Sequence, residues 1–178
     1  TYANNWEYCF LRGWLNETFY NEVFNDLQKE IIQTTRLDNS ARSCNPDEYP
    51  TYYPDTYSSQ NKPGENKYAA QCKDTDDKIF LLSLRDITTT AYGFNKDVRA
   101  KDPARNLQAT DFAKFRGAPM DIYEEKYVTW YTRSPSIGSR GGNDGYSTFV
   151  LDRHAKGAID STDLTPDGGV VPALWITI

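Results

Sequence analysis

The chain has 178 residues, with 20 Lys and Arg against 25 Asp and Glu and a formal net charge of −5. No Lys/Arg cluster exceeds two residues, which removes the electrostatic footprint of a nucleic-acid binder. No apolar run approaches the roughly 20 residues that span a bilayer, so membrane insertion is not expected. Only 38% of residues are hydrophobic, yet 14% are aromatic, including 13 Tyr and 4 Trp. Many rings therefore belong at or near the surface, where flat apolar faces meet sugars or proteins. The length suits a single domain over 1–178 whose core forms without help from disulfides.

Taken in chain order, Asn4 as a cap and Glu7 as its capping-box partner predict a helix over 4–15. Trp6, Cys9, Phe10 and Trp14 fall on one apolar face of it and form its expected core side. Phe19, Tyr20, Val23 and Phe24 continue as a short apolar link. A second helix is predicted over 26–34, burying Leu27, Ile31 and Ile32. From 38 to 76 the periodicity lapses: Pro46, Pro50, Pro54 and Pro63 interrupt a stretch rich in Tyr. It reads as a long loop insertion, and its tyrosines argue against full disorder. The apolar run Lys78–Leu84 reads as a buried strand, and Ser83 as a cap for a short helix reaching Tyr92. Asp102-Pro103 opens a helix that runs to Phe115 and stops at Gly117, or else Thr110-Asp111 starts a separate short one. Tyr127–Arg133, Tyr146–Leu151 and Val170–Ile178 read as strands. Helices early and strands late predict an α+β fold, with N-terminal helices packed on a mostly antiparallel sheet and long irregular loops.

Several phrases resemble a known family: NWEYCFLRGWLNETFYNEVF at 5–24, TDDKIFLLSL at 75–84, TDFAKFRG at 110–117, WYTRSP at 130–135 and GGVVPALWITI at 168–178. In this order they are similar to the bacterial domain-of-unknown-function family 6273, over nearly the whole chain. The resemblance implies a protein of unknown function that is extracellular or on the cell surface. By analogy it implies a C-type-lectin-like architecture, also seen in sulfatase-modifying factors. Family members usually begin with two or three further strands, so the chain, starting at Thr1, is expected to lack upstream sequence. Val171 stands where the family more often has Arg.

Trp130, Tyr131 and Arg133 are an aromatic pair beside a guanidinium, suited to stacking on a sugar and bonding its hydroxyls. Alternation along a strand puts Tyr131 and Arg133 on one face and Trp130 on the other. The bland reading places Trp130 in the core and pairs Arg133 with a buried carboxylate such as Asp77. The acidic loop carrying Asp160, Asp163 and Asp167 offers oxygens to calcium, the one cofactor in view, and Asp74, Asp76 and Asp77 do so more weakly. Cys9 reads as a buried free thiol. Cys44 and Cys72 flank the Tyr-rich stretch and are candidates for a disulfide clamping it, worth about 3–4 kcal/mol. His154 reads as an exposed loop residue, with no triad context around it.

The leading expectation is a non-catalytic recognition module for a glycan or protein ligand. Its contact surfaces would be the Tyr-rich segment, with Tyr52, Tyr53 and Tyr57, and the Gly-rich 136–147 loop, with Asn143 and Tyr146. The alternative is a structural or assembly domain of a larger bacterial surface or phage-type protein. An enzyme comes third, because no convergent nucleophile, base and oxyanion donors are visible.

Overall fold

The structure, a computed structural model, describes residues 5–39, 72–97, 100–118, 120, 127–135, 146–150, 159–163 and 169–178. Helical segments open the chain, a two-stranded ladder and further short helical turns follow, and a three-stranded antiparallel sheet comes late, an α+β arrangement.

The opening segment departs from the single helix predicted over 4–15. Trp6–Tyr8 form a 3-10 turn, and Cys9 is extended (φ −74°, ψ 143°). Helix α1 (Phe10–Trp14) then starts, with the Cys9 thiol accepting the Arg12 N–H. It runs through a π turn (Leu15–Phe19) into α2 (Tyr20–Val23), so the expected apolar link is helical. The break at Cys9 re-aims the helix. Trp6 stays buried, but Phe10 is 85% exposed and Trp14 37% exposed, while Leu15 and Tyr20 face the core with Leu11 and Phe19 against it. Trp14 keeps one ring contact, tilted on Phe19 at 5.3 Å. Trp14→Ala is therefore expected to cost about 1–2 kcal/mol, the scale of a ring pair with partial burial. A loss above about 3 kcal/mol in urea melts, the range of a buried aromatic, would return Trp14 to the core.

The π turn carries Asn16 inward. Its Oδ1 accepts the N–H groups of Lys78 (2.7 Å) and Ile79 (3.1 Å), and its Nδ2 donates to the Ile79 carbonyl at 2.8 Å. One amide side chain thus serves as a strand partner for the apolar run. Helix α3 (Asp26–Ile31) opens on a capping box between Asn25 and Gln28. It ends earlier than the predicted Thr34. Leu27 (75% exposed) and Ile31 (43%) lie outside the core, and only Ile32 is buried.

Strands β1 (Thr35–Leu37) and β2 (Thr75–Asp77) pair antiparallel, with Leu37 opposite Thr75. Thr75 and Asp76, the end of the stretch read as a loop over 38–76, are thus strand residues. Asn39 closes the ladder: its Nδ2 donates to the Lys73 carbonyl and the Thr75 hydroxyl, both at 3.0 Å.

Ile79, Phe80 and Leu81 are buried as expected, but the run is not a regular strand. Its backbone partners are split: Asn16 at one end, Ala173 opposite Phe80 in the middle, and the Arg133 N–H on the Leu82 carbonyl at the other. Ser83 and Asp86 cap each other's N–H groups, as foreseen. The next two turns, Asp86–Thr88 and Thr90–Tyr92, are 3-10.

Asp102 caps only the short turn Pro103–Arg105. Helix α4 (Asp111–Phe115) is separate, capped by Thr110 and stopped at Gly117, whose φ of 81° suits glycine. Between them the chain is extended: Leu107 accepts the Val128 N–H and Gln108 bridges Tyr127.

Strands β3 (Trp130–Pro135), β4 (Tyr146–Val150) and β5 (Ile159–Asp163) form an antiparallel sheet in that order. β5 occupies part of the predicted acidic loop. Asp160 and Asp163 pair there with Phe149 and Tyr146. The C-terminal stretch 169–178 makes isolated bridges at Gly169, Ala173 and Ile176 in place of the predicted strand. Pro172, which has no N–H to donate, explains part of that interruption. Val171 packs against the Leu84, Ile87 and Trp130 cluster.

Candidate functional site

A cavity of about 670 Å³ opens between β1, the Phe80–Asp86 run, the two 3-10 turns after it, β3 and the C-terminal segment. That volume lies within the roughly 300–1,000 Å³ of small-molecule sites. Phe80, Leu82, Phe94, Ala173 and Leu174 supply its apolar lining. Tyr92 and Trp175 form one wall, 50% and 45% exposed, with ring centroids 5.7 Å apart and planes tilted by 59°. Two neighbouring rings left half in solvent are unusual for a side-chain type that normally drives core burial.

The charged part of the lining is Arg36, Asp38, Arg85, Asp86 and Arg133, each facing an opposite charge. Arg133 Nη1 meets Asp86 Oδ2 at 2.6 Å and also donates to the Leu81 carbonyl, and Arg133 Nε donates to Asn39 Oδ1. Its side chain is 5% exposed, so it ties β3 to the chain around Asn39 while presenting an edge to the cavity. Arg36 lies 2.9 Å from Asp76 and 3.8 Å from Asp74, and Arg85 lies 3.9 Å from Asp38.

Of the site candidates singled out from the sequence that lie among the described residues, only Arg133 lines this cleft. Its carboxylate partner is Asp86 and not Asp77. Asp77 is buried and holds Arg12 Nε at 2.7 Å, Trp6 Nε1 at 2.8 Å and the Thr75 hydroxyl at 2.8 Å. Tyr131 packs half-buried against the first core cluster. Trp130 is 2% exposed and donates its indole N–H to the Arg105 carbonyl, which is the core role foreseen for it. Tyr146 is the first residue of β4. Tyr52, Tyr53, Tyr57, Asn143, Asp167, Cys44 and His154 lie outside the described residues.

Asp74 and Asp76 face Arg36, and Asp77 is enclosed by donors, which commits the weaker acidic cluster to protein partners. Among the described residues no group of three or more His, Cys, Asp or Glu is placed to hold a metal ion. Cys9 and Cys72 are free thiols. Burial pushes both above the ordinary thiol range, which lowers their thiolate content and their reactivity. Among the described residues no helix is long and apolar enough to cross a membrane.

The cleft residues missed from the sequence are Tyr92, Trp175, Arg36, Asp38, Arg85 and Asp86. The local signal for Asp86 was present, but it was legible as a helix cap only. No curated protein and no solved structure matches the chain. The resemblance carried by the five sequence motifs extends over the whole chain: it belongs to the family described as Domain of unknown function (DUF6273), which matches residues 1–178.

Proposed function

We propose that this protein is a non-catalytic recognition module, extracellular or on the cell surface, that binds glycan in the cleft between β1 and the C-terminal segment. The observation that carries this reading is the half-exposed Tyr92–Trp175 pair beside the Arg–Asp pairs of the same cavity. Apolar ring faces next to planar hydrogen-bonding groups suit a sugar, which has an apolar C–H face and a hydroxylated edge. The hydroxyl and carboxylate that meet in the lining, Ser83 and Asp86, are spent on capping each other's backbone N–H groups, which favours binding over turnover. Localisation rests on the family resemblance.

The finer fold is proposed alongside: a C-type-lectin-like arrangement. An opening helical segment and a late antiparallel sheet, with the C-terminal segment returning beside β3 at Gly169, support it. An experimental structure whose C-terminal segment lay away from β3 would refute it.

The functional test is a glycan array probed with the 178-residue chain and with the Tyr92→Ala/Trp175→Ala variant. Wild-type binding that drops at least about tenfold in the variant, or about 1.4 kcal/mol, supports the reading, provided the melting temperature holds. Undiminished binding would place the contact surface elsewhere. The assembly-domain alternative is favoured by one observation, the exposure of Phe10 (85%), Leu27 (75%), Phe112 (72%) and Phe115 (85%). Self-association seen by light scattering, with no glycan bound, would establish it instead.

A further inference from the structure

We infer that the ligand of this cleft is a neutral, multiply hydroxylated ring, a hexose-type sugar without carboxylate, sulfate or phosphate. This rests on the glycan reading above and narrows it by charge. Three guanidinium groups, those of Arg36, Arg85 and Arg133, reach the cavity and at first sight suit an anion. Each already faces a carboxylate: Asp86 for Arg133, Asp38 for Arg85, and Asp76 with Asp74 for Arg36. Each guanidinium at the cavity is thus compensated by a carboxylate, Asp38 and Asp86 within the lining and Asp74 with Asp76 beyond it, and none is left unpaired to draw an acidic ligand.

An anion entering here would have to displace a carboxylate from its guanidinium or sit beside it, and like charges at close range repel. The Arg133–Asp86 pair is the least displaceable, because its guanidinium is nearly buried and is further held by the Leu81 carbonyl. Removing one partner from such a pair leaves the other charge buried and uncompensated.

A sugar hydroxyl faces no such conflict, since it both donates and accepts. A guanidinium has five N–H donors and an ionised carboxylate about four acceptor sites, so a pair that bonds to itself retains capacity for both roles. Adjacent hydroxyls can therefore take an N–H from Arg36 and give an O–H to Asp38 or Asp86, the carboxylates of the lining, without disturbing the pairs. Arg36, 61% exposed along its side chain, has the room to do so. The tilted Tyr92–Trp175 wall then offers its apolar faces to the C–H side of the ring, a contact that needs no charge.

The experiment uses the full 178-residue chain on an array of neutral hexosyl and N-acetylhexosaminyl glycans together with sialylated, uronic and sulfated ones. It is run at about 50 mM and about 500 mM NaCl, which brackets weak and strong screening. The expected result is binding confined to neutral glycans, changing less than about twofold between the two salt concentrations. That binding should fall at least about tenfold in Trp175→Ala. If that variant misfolds, Tyr92→Ala on its exposed turn gives the same readout. Binding of acidic glycans that weakens with salt and in Arg36→Gln would overturn the inference while leaving the glycan reading intact. Failure to bind any glycan of either charge class would overturn both.

Discussion

Asp77→Ala is expected to destabilise the protein by about 3–5 kcal/mol, the range for removing one partner of a buried ion pair. The Asp77 side chain is fully buried and serves as the common acceptor for Arg12 Nε, Trp6 Nε1 and the Thr75 hydroxyl. These donors come from α1, from the 3-10 turn before it and from β2, so a single carboxylate holds the N-terminal segment against the first ladder. Truncation leaves the Arg12 guanidinium with the Glu7 carbonyl but no counter-charge, and strips the buried Trp6 indole N–H of its acceptor, which is the expensive case for a polar group. Asp77→Asn keeps the shape but loses the charge, and should fall between wild type and alanine. Urea denaturation measures both variants. A loss below about 1 kcal/mol for alanine would show that the segment is held by apolar packing of Trp6 and Leu15 alone.

Trp130→Ala is expected to cost a similar amount, about 3–5 kcal/mol, for a different reason. Here the loss is mainly volume: Trp130 fills the cluster with Leu84 and Ile87, and Leu107 and Val171 pack around it. The backbone of Gly169 bridges Trp130 closely enough that a Cβ there would lie 2.9 Å from the Thr129 carbonyl oxygen. The surrounding chain thus has little freedom to collapse into the space left. The indole N–H also donates at 3.0 Å to the carbonyl of Arg105. The Arg105 guanidinium is itself buried and bonds to the carbonyls of Ile87, Asp97 and Asn95. Trp130→Phe separates the two contributions. It restores most of the volume but not the hydrogen bond, and should lose about 1–2 kcal/mol. Equal losses for Phe and Ala in chemical denaturation would assign the whole effect to the hydrogen bond and refute the packing argument.

Local chemistry was the most legible part of the sequence. Ser83 with Asp86, Asp102 before Pro103 and Thr110 before Asp111 each cap the turn or helix they precede, because a short polar side chain meets a nearby free N–H whatever surrounds it. The burial of Ile79, Phe80, Leu81 and Trp130 was also legible, since their hydrophobicity admits few other outcomes. The facing of the first helix was not. Phe10 and Trp14 make one stripe at helical spacing, and Leu11, Leu15 and Phe19 make another. The choice between them was set by the break at Cys9 and by the π turn, neither of which leaves a residue signature. Asp160 and Asp163 read as a loop because acidic residues are poor strand formers, yet pairing with β4 overrode that propensity.

Of the cleft, Arg133 alone was visible from the strand alternation. Trp175 was hidden in ALWITI, where both faces of an assumed strand are apolar and nothing marks which one meets solvent. Arg36, Asp38 and Arg85 look like ordinary surface charges one at a time. Their convergence depends on how β1 and the C-terminal segment pack beside the Phe80–Asp86 run.

The short β1–β2 ladder has an evolutionary consequence. Leu37 and Thr75 sit opposite each other, and Asn39 bonds back to Lys73 and Thr75, so the two ends of the intervening sequence are held side by side. The entropy of closing such an excursion grows only with the logarithm of its length, and doubling the length costs about 0.6 kcal/mol. Evolutionary changes in the length of the sequence between those two ends therefore cost little in closure entropy.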